Sequence, residues 1–128
     1  NTPGQNPQGQ APFSQQGSGS GFVVSEQGDI LTNYHVVKAA LEDDTVTPVE
    51  GATLSVTFPN SDEDLTVTVV GANVLYDMAL LRLAEPEQLP EGVRPIAIAD
   101  SDAVAVGQKV IAIGNPFGFA STVTTGIV

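Results

Sequence analysis

Short apolar segments of strand length, each closed by glycine, proline or acidic turn residues, constrain this chain more than any other feature. "GFVVS" and "DILTN" flank "EQG", where Gly28 and Asp29 are turn formers, so the two read as a hairpin. "ATLSVTF" and "DLTVTVVGA" alternate apolar and polar residues on either side of "PNSDED", a polar turn carrying Pro59 and Asn60. "RPIAIA", "KVIAIG" and "STVTTGIV" read as three further strands, the last two separated by "NPFGFA". "NVLYDMALLRL" is long and almost wholly apolar, the pattern of a central strand buried on both faces. "HVVKAALED" reads as a short helix, with Thr32 or Asn33 as its cap. Many short strands with this punctuation predict an all-β barrel or sandwich.

The chain has 128 residues, of which 41% are apolar, enough for one domain with a core. Residues 1–20 are an exception: they are rich in Gln, Gly, Pro, Ser and Asn. Such a segment buries too little apolar surface to offset its ordering entropy, so it reads as a flexible leader, with Phe13 its one anchor-like side chain. Fifteen acids against four bases give a formal charge of −11, which repels phosphate backbones and excludes a nucleic-acid partner. No basic stripe suits a membrane surface, and no apolar run is long enough to span a bilayer. The absence of cysteine excludes a disulfide framework, a thiolate nucleophile and Cys-ligated zinc. Residue 1 is Asn rather than Met, as in a processed or cut chain, from which a secretory signal could already have been removed. "TVTTGIV" stops at Val128 in mid-strand, and an unpaired apolar edge is an aggregation hazard, so more sheet is expected to follow.

Two residues stand out chemically. His35 is the only histidine, and it lies where a strand ends and a helix begins. Most lone histidines are surface or structural residues, but imidazole titrates near neutrality and can serve as a general base. Asp77 interrupts the apolar run "VLYDMALLRL". A carboxylate in an apolar strand needs pairing or hydrogen bonds. Its available partners are His35, Lys38, Arg82, Arg94, Lys109 and backbone amides. Arg82 is an odd number of positions along the same strand and so faces the other way, which makes His35 a serious candidate. A carboxylate beside a histidine fixes the ring's tautomer and stabilises the imidazolium.

Other clusters carry less. "SDED" (61–64) and "DSD" (100–102) offer carboxylates to a cation, but neither has the spacing or glycine of a calcium loop, and both read as solvated acidic turns. "IGNPFG" (113–118) lacks the lysine and following helix of a phosphate-binding loop and reads as a tight turn. "GSGSG" (17–21) has Gly19 where a nucleophile elbow needs serine.

"GSGSGFVVSEQGDILTNYHVV", "YDMALLRL" and "VGQKVIAIGNPFGFASTVTTGIV" resemble the HtrA/Deg family of trypsin-like serine proteases, in the family's order, over about Gly17 to Val128. The resemblance implies a chymotrypsin-like antiparallel β-barrel fold with one short helix after His35. Residues 21–107 would form the first barrel, 108–128 the opening hairpin of a second, and 1–20 the leader. It implies His35 as general base and Asp77 as the residue that orients it. The family's nucleophile is the serine of a "GNSGG"-type motif, and Ser14, Ser18, Ser20, Ser25, Ser55, Ser61, Ser101 and Ser121 all lie outside such a context. The expectation is therefore the N-terminal part of a serine endopeptidase that acts on unfolded polypeptides outside the cytoplasm, inactive on its own. No cofactor or metal is implied. Homo-oligomers, a trimer as in the family or a strand-swapped dimer, are expected partners. The alternative from a different class is a non-catalytic β-barrel module that binds peptide by strand addition or self-associates.

Overall fold

The computed structural model describes residues 17–43, 46–59, 61–115 and 122–128. Phe13, most of the leader, Asn60, Ser121 and most of "NPFGFA" lie outside the described residues. Within them the regular structure is mostly strand: β1 (Gly21–Val23), β2 (Asp29–Thr32), β3 (Ser55–Thr57), β4 (Asp64–Asn73), β5 (Met78–Leu83), β6 (Lys109–Gly114) and β7 (Thr122–Ile127). A single helical turn, α1 (Tyr34–Val37), follows β2.

The first five strands form one antiparallel sheet in the order β1-β2-β5-β4-β3, and β6 pairs with β7 as a separate hairpin. The β1–β2 turn requires Gly28 twice over. Its φ of 81° is the left-handed region, and a Cβ there would stand 2.7 Å from Leu83 Cδ1. The sequence places β2 next to β5, with Asp29 opposite Arg82 and Ile30 opposite Leu81. Between β4 and β5 the register slips at Val69–Gly71 and leaves Val70 unpaired. A bulge of this kind bends the strand and raises its twist, here a few residues before the turn that carries Asp77.

Strand alternation sets the core. Leu65 and Val67 of β4 point inward with Ala79, Leu81 and Leu83 of β5. Val23, Ile30 and the α1 residues Tyr34 and Val37 complete the same buried cluster, with Leu41 just beyond. The helix after β2 is thus held by two apolar anchors, and those anchors fix where His35, between them, projects. In the β6–β7 hairpin, by contrast, all side chains but Gly114 are exposed. Among the described residues no helix is long and apolar enough to cross a membrane.

Three sequence expectations need correction. "NVLYDMALLRL" is not one strand buried on both faces. Asn73 ends β4, residues 74–77 form a turn, and only β5 follows, with Met78 and Arg82 exposed. The apolar residues of the turn, Val74, Leu75 and Tyr76, misled the reading because hydropathy alone cannot mark a chain reversal that lacks glycine or proline. "RPIAIA" is not a strand. Its tie to the sheet is the Ile96 N–H donating to the Val23 carbonyl at 2.9 Å, too little for a ladder. The helix over "HVVKAALED" is one α-turn followed by a 3-10 turn at Lys38–Ala40, and Leu41 then bridges Pro48 in extended form. Nucleating a helix is costly, and a four-residue turn persists only through the burial of Tyr34 and Val37.

The contrast between core and turn is measurable. Leu83 is 2% exposed and Leu75 86%. Leu83→Ala is expected to lower unfolding free energy by about 2–5 kcal/mol, and Leu75→Ala to leave it within about 0.5 kcal/mol, in urea melts.

Candidate active site

His35 and Asp77 lie 42 residues apart in sequence and meet in the structure. β2 delivers His35 to the first turn of α1, and the β4–β5 turn delivers Asp77 to the same place. That turn is held by its own polar groups. The Tyr76 N–H donates to Asn73 Oδ1 at 3.0 Å, and the Asp77 N–H donates to the Val74 carbonyl at 3.3 Å. Asp77 adopts φ 52°, a left-handed conformation that Asp and Asn tolerate better than other non-glycine residues.

The Asp77 carboxylate uses both oxygens on one residue. Oδ1 accepts the backbone N–H of His35 at 2.8 Å, and Oδ2 stands 2.7 Å from His35 Nδ1. An ionised carboxylate only accepts, which assigns the proton of that contact to Nδ1 and leaves the lone pair of the neutral ring on Nε2. Among the described residues Nε2 makes no hydrogen bond. The side chains are 70% and 43% exposed, so the ring's free edge faces outward. Asn33 adds a third tie, donating from Nδ2 to the Asp77 carbonyl oxygen at 3.1 Å.

These bonds lower the pKa of Asp77. The hydrogen bond from the His35 ring is the largest cause, the His35 backbone N–H is next, and partial burial opposes both. The Tyr34 backbone N–H adds a smaller contribution in the same direction. A carboxyl more acidic in the folded state contributes stability that is complete above its ordinary value of 3.8 and is lost as pH falls through the lower folded value.

The site thus unites the two residues singled out in the sequence, by a route the sequence did not indicate. Asp77 is not a carboxylate trapped in an apolar strand; it is a half-exposed turn residue. The Arg82 alternative is spent elsewhere, since its guanidinium grips Asp29 at 2.7 Å and 3.3 Å across β2 and β5. That ion pair also holds Asp29 below the usual carboxylate range, with the Ser25 hydroxyl assisting and burial opposing. The acidic clusters have local duties. Asp64 Oδ1 accepts the Thr57 hydroxyl at 2.5 Å, and Asp100 Oδ1 accepts the Asp102 N–H at 3.0 Å as the cap of a 3-10 turn. Asn33 and Asn73 were not singled out for the site; the Asn73 bond is local to the turn, and nothing in the sequence around Asn33 signals its contact across the fold.

The comparisons show the family. A family model described as "Trypsin-like peptidase domain" matches residues 19–128, and the chain belongs to that family. It is similar to "Protease Do-like 1, chloroplastic" of Arabidopsis thaliana, 42% identical over 88% of this chain and 22% of that protein. It is similar also to "Probable periplasmic serine endoprotease DegP-like" of Marinomonas sp. (strain MWYL1), 39% identical over 98% of this chain and 24% of that protein. The chain therefore spans about a quarter or less of the curated relatives it matches. Among solved structures it resembles Deg5, with a TM-score of 0.69 and 32% identity over 88% of this chain and 52% of the other. The mostly-β architecture with its short helix is the chymotrypsin-like fold of these HtrA-type proteases.

The tautomer is a direct consequence of the two-oxygen contact. Asn at position 77 would offer one acceptor oxygen to two donors. With that oxygen on the His35 backbone N–H, its amide N–H would face Nδ1 and drive the proton to Nε2. In the full-length protein, nitrogen NMR of the His35 ring, identified by its loss in His35→Gln, is expected to show the Nδ1–H form in the wild type. In Asp77→Asn it is expected to show a majority of Nε2–H.

Proposed function

We propose that this chain supplies the general base and its orienting carboxylate to a serine endopeptidase of the HtrA/Deg type. The observation that carries the reading is the Asp77 carboxylate bridging the backbone N–H and Nδ1 of His35 at 2.8 Å and 2.7 Å, which leaves Nε2 available. Residues 21–107 serve as the first barrel, 108–128 as the opening hairpin of the second, and 1–20 as a leader. The nucleophile is a serine outside these 128 residues, so this chain alone is inactive.

Each residue then has a defined task. As the serine oxygen attacks the scissile carbonyl, its proton passes to His35 Nε2, and the ring becomes an imidazolium. Asp77, already ionised and aligned on Nδ1–H, stabilises that charge without taking the proton. The Nε2 proton then goes to the leaving amine as the peptide C–N bond breaks, which leaves an acyl-serine. Water repeats the sequence with the ring as base, releases the acid and restores the serine. The openness of the His35 edge suits a polymeric substrate, and the family likeness supports unfolded or misfolded polypeptides as that substrate. Relatives named periplasmic support an extracytoplasmic setting, and the family supports a homo-oligomer.

Peptide hydrolysis by the full-length protein tests the assignment. His35→Ala is expected to abolish turnover with the fold retained. Asp77→Asn keeps the left-handed backbone and is expected to lower kcat by about 10³–10⁴-fold. Near-wild-type kcat in His35→Ala would defeat the reading.

A further inference from the structure

We propose that Asn33 is a positioning residue of this site, one that holds the Asp77 turn against the His35 segment through its side-chain amide. The inference rests on the reading of His35 and Asp77 given above. Asn33 occupies the N-cap of α1, with φ −81° and ψ 144°, where an asparagine oxygen ordinarily accepts a backbone N–H of the first turn. It makes no such bond. Its Nδ2 instead donates to the Asp77 carbonyl oxygen at 3.1 Å, across 44 residues of sequence.

The duty that Asn33 leaves undone is performed from across the fold. His35 is the second residue of α1, and its N–H is one that an N-cap side chain would take. Asp77 Oδ1 accepts it instead. The two segments have exchanged partners: Asn33 supplies a donor to the Asp77 backbone, and Asp77 supplies an acceptor to the helix Asn33 begins. Together with the Nδ1 contact, hydrogen bonds from Asn33 and His35 tie this segment to Asp77, and the Tyr34 backbone N–H adds to them. Within its own turn Asp77 is tied by its N–H, which donates to the Val74 carbonyl at 3.3 Å. It sits at the end of a four-residue turn whose Leu75 and Tyr76 are exposed, and it carries a positive φ at a non-glycine residue. The Asn33 amide engages the carbonyl of that same residue, so it restrains the peptide plane on which the carboxylate is mounted.

The arrangement predicts a loss in catalysis without a loss in helix stability. Ser is as good an N-cap as Asn. In Asn33→Ser, however, the hydroxyl competes with Asp77 for the His35 N–H, and the donor to the Asp77 carbonyl is gone. Asn33→Asp keeps the size and capping ability but sets an anion against that carbonyl.

In the full-length protein both variants are expected to keep the wild-type urea midpoint and to lower kcat for peptide hydrolysis by about 10–100-fold, with KM within about twofold. The His35 nitrogen spectrum is expected to show a raised Nε2–H fraction in both. Wild-type kcat and an unchanged His35 spectrum in Asn33→Ser, while Asp77→Asn is impaired, would overturn the role of Asn33 and leave the His35–Asp77 assignment standing. Losses that track the folded fraction in both variants would make Asn33 merely structural and also overturn the proposal. Retained activity in His35→Ala would instead defeat the underlying reading.

Discussion

The carboxylate of Asp77 serves two donors on one residue, and most of what is distinctive in this structure depends on that. Oδ1 caps the helix that begins after β2, and Oδ2 orients the ring carried by that helix. Backbone and side chain of His35 are therefore fixed by the same group, which restricts both the position and the rotation of the imidazole. A single-point contact at Nδ1 would leave the ring free to swing with its backbone. The two-point contact needs an acceptor with two oxygens at one end, which is why an amide at position 77 cannot replace it.

The sheet exists in a form that makes this meeting possible. β2 and β5 are neighbours, so the ends of the two strands that lead to His35 and from Asp77 lie side by side. Burial on one face of β4 and β5 sets the register, and the bulge at Val70 bends β4 just before its turn. Tyr34 and Val37 fasten α1 to the core on either side of His35, so the helix can be short without being loose. The Asp29–Arg82 pair crosses the same two strands at their far end and keeps Arg82 from competing for Asp77.

Much of this was legible in the sequence, and the exceptions have specific physical causes. β3 and β4 follow from alternation and the first hairpin from Gly28, because period and turn chemistry are local properties. The break between β4 and β5 was hidden by Val74, Leu75 and Tyr76, which are apolar yet exposed. That same error put Asp77 inside a strand and gave a burial argument for its partner that does not apply to a half-exposed turn. The pairing with His35 was still recovered, because few cations and one histidine are present and the matched motifs name both residues. Asn33 is, with Thr32, one of two cap candidates in the sequence, because capping is the local role of threonine and asparagine before a helix. Its actual bond runs to a residue 44 positions away, which no local rule contains.

The central claim is that His35 activates a serine that these 128 residues do not contain. Labelling the full-length protein with a fluorophosphonate and mapping the adduct by mass spectrometry tests it most directly. The account predicts one modified serine outside residues 1–128, labelling lost in His35→Ala, and no labelling of this chain in isolation. An adduct on a serine within the chain, or undiminished labelling in His35→Ala, would contradict it.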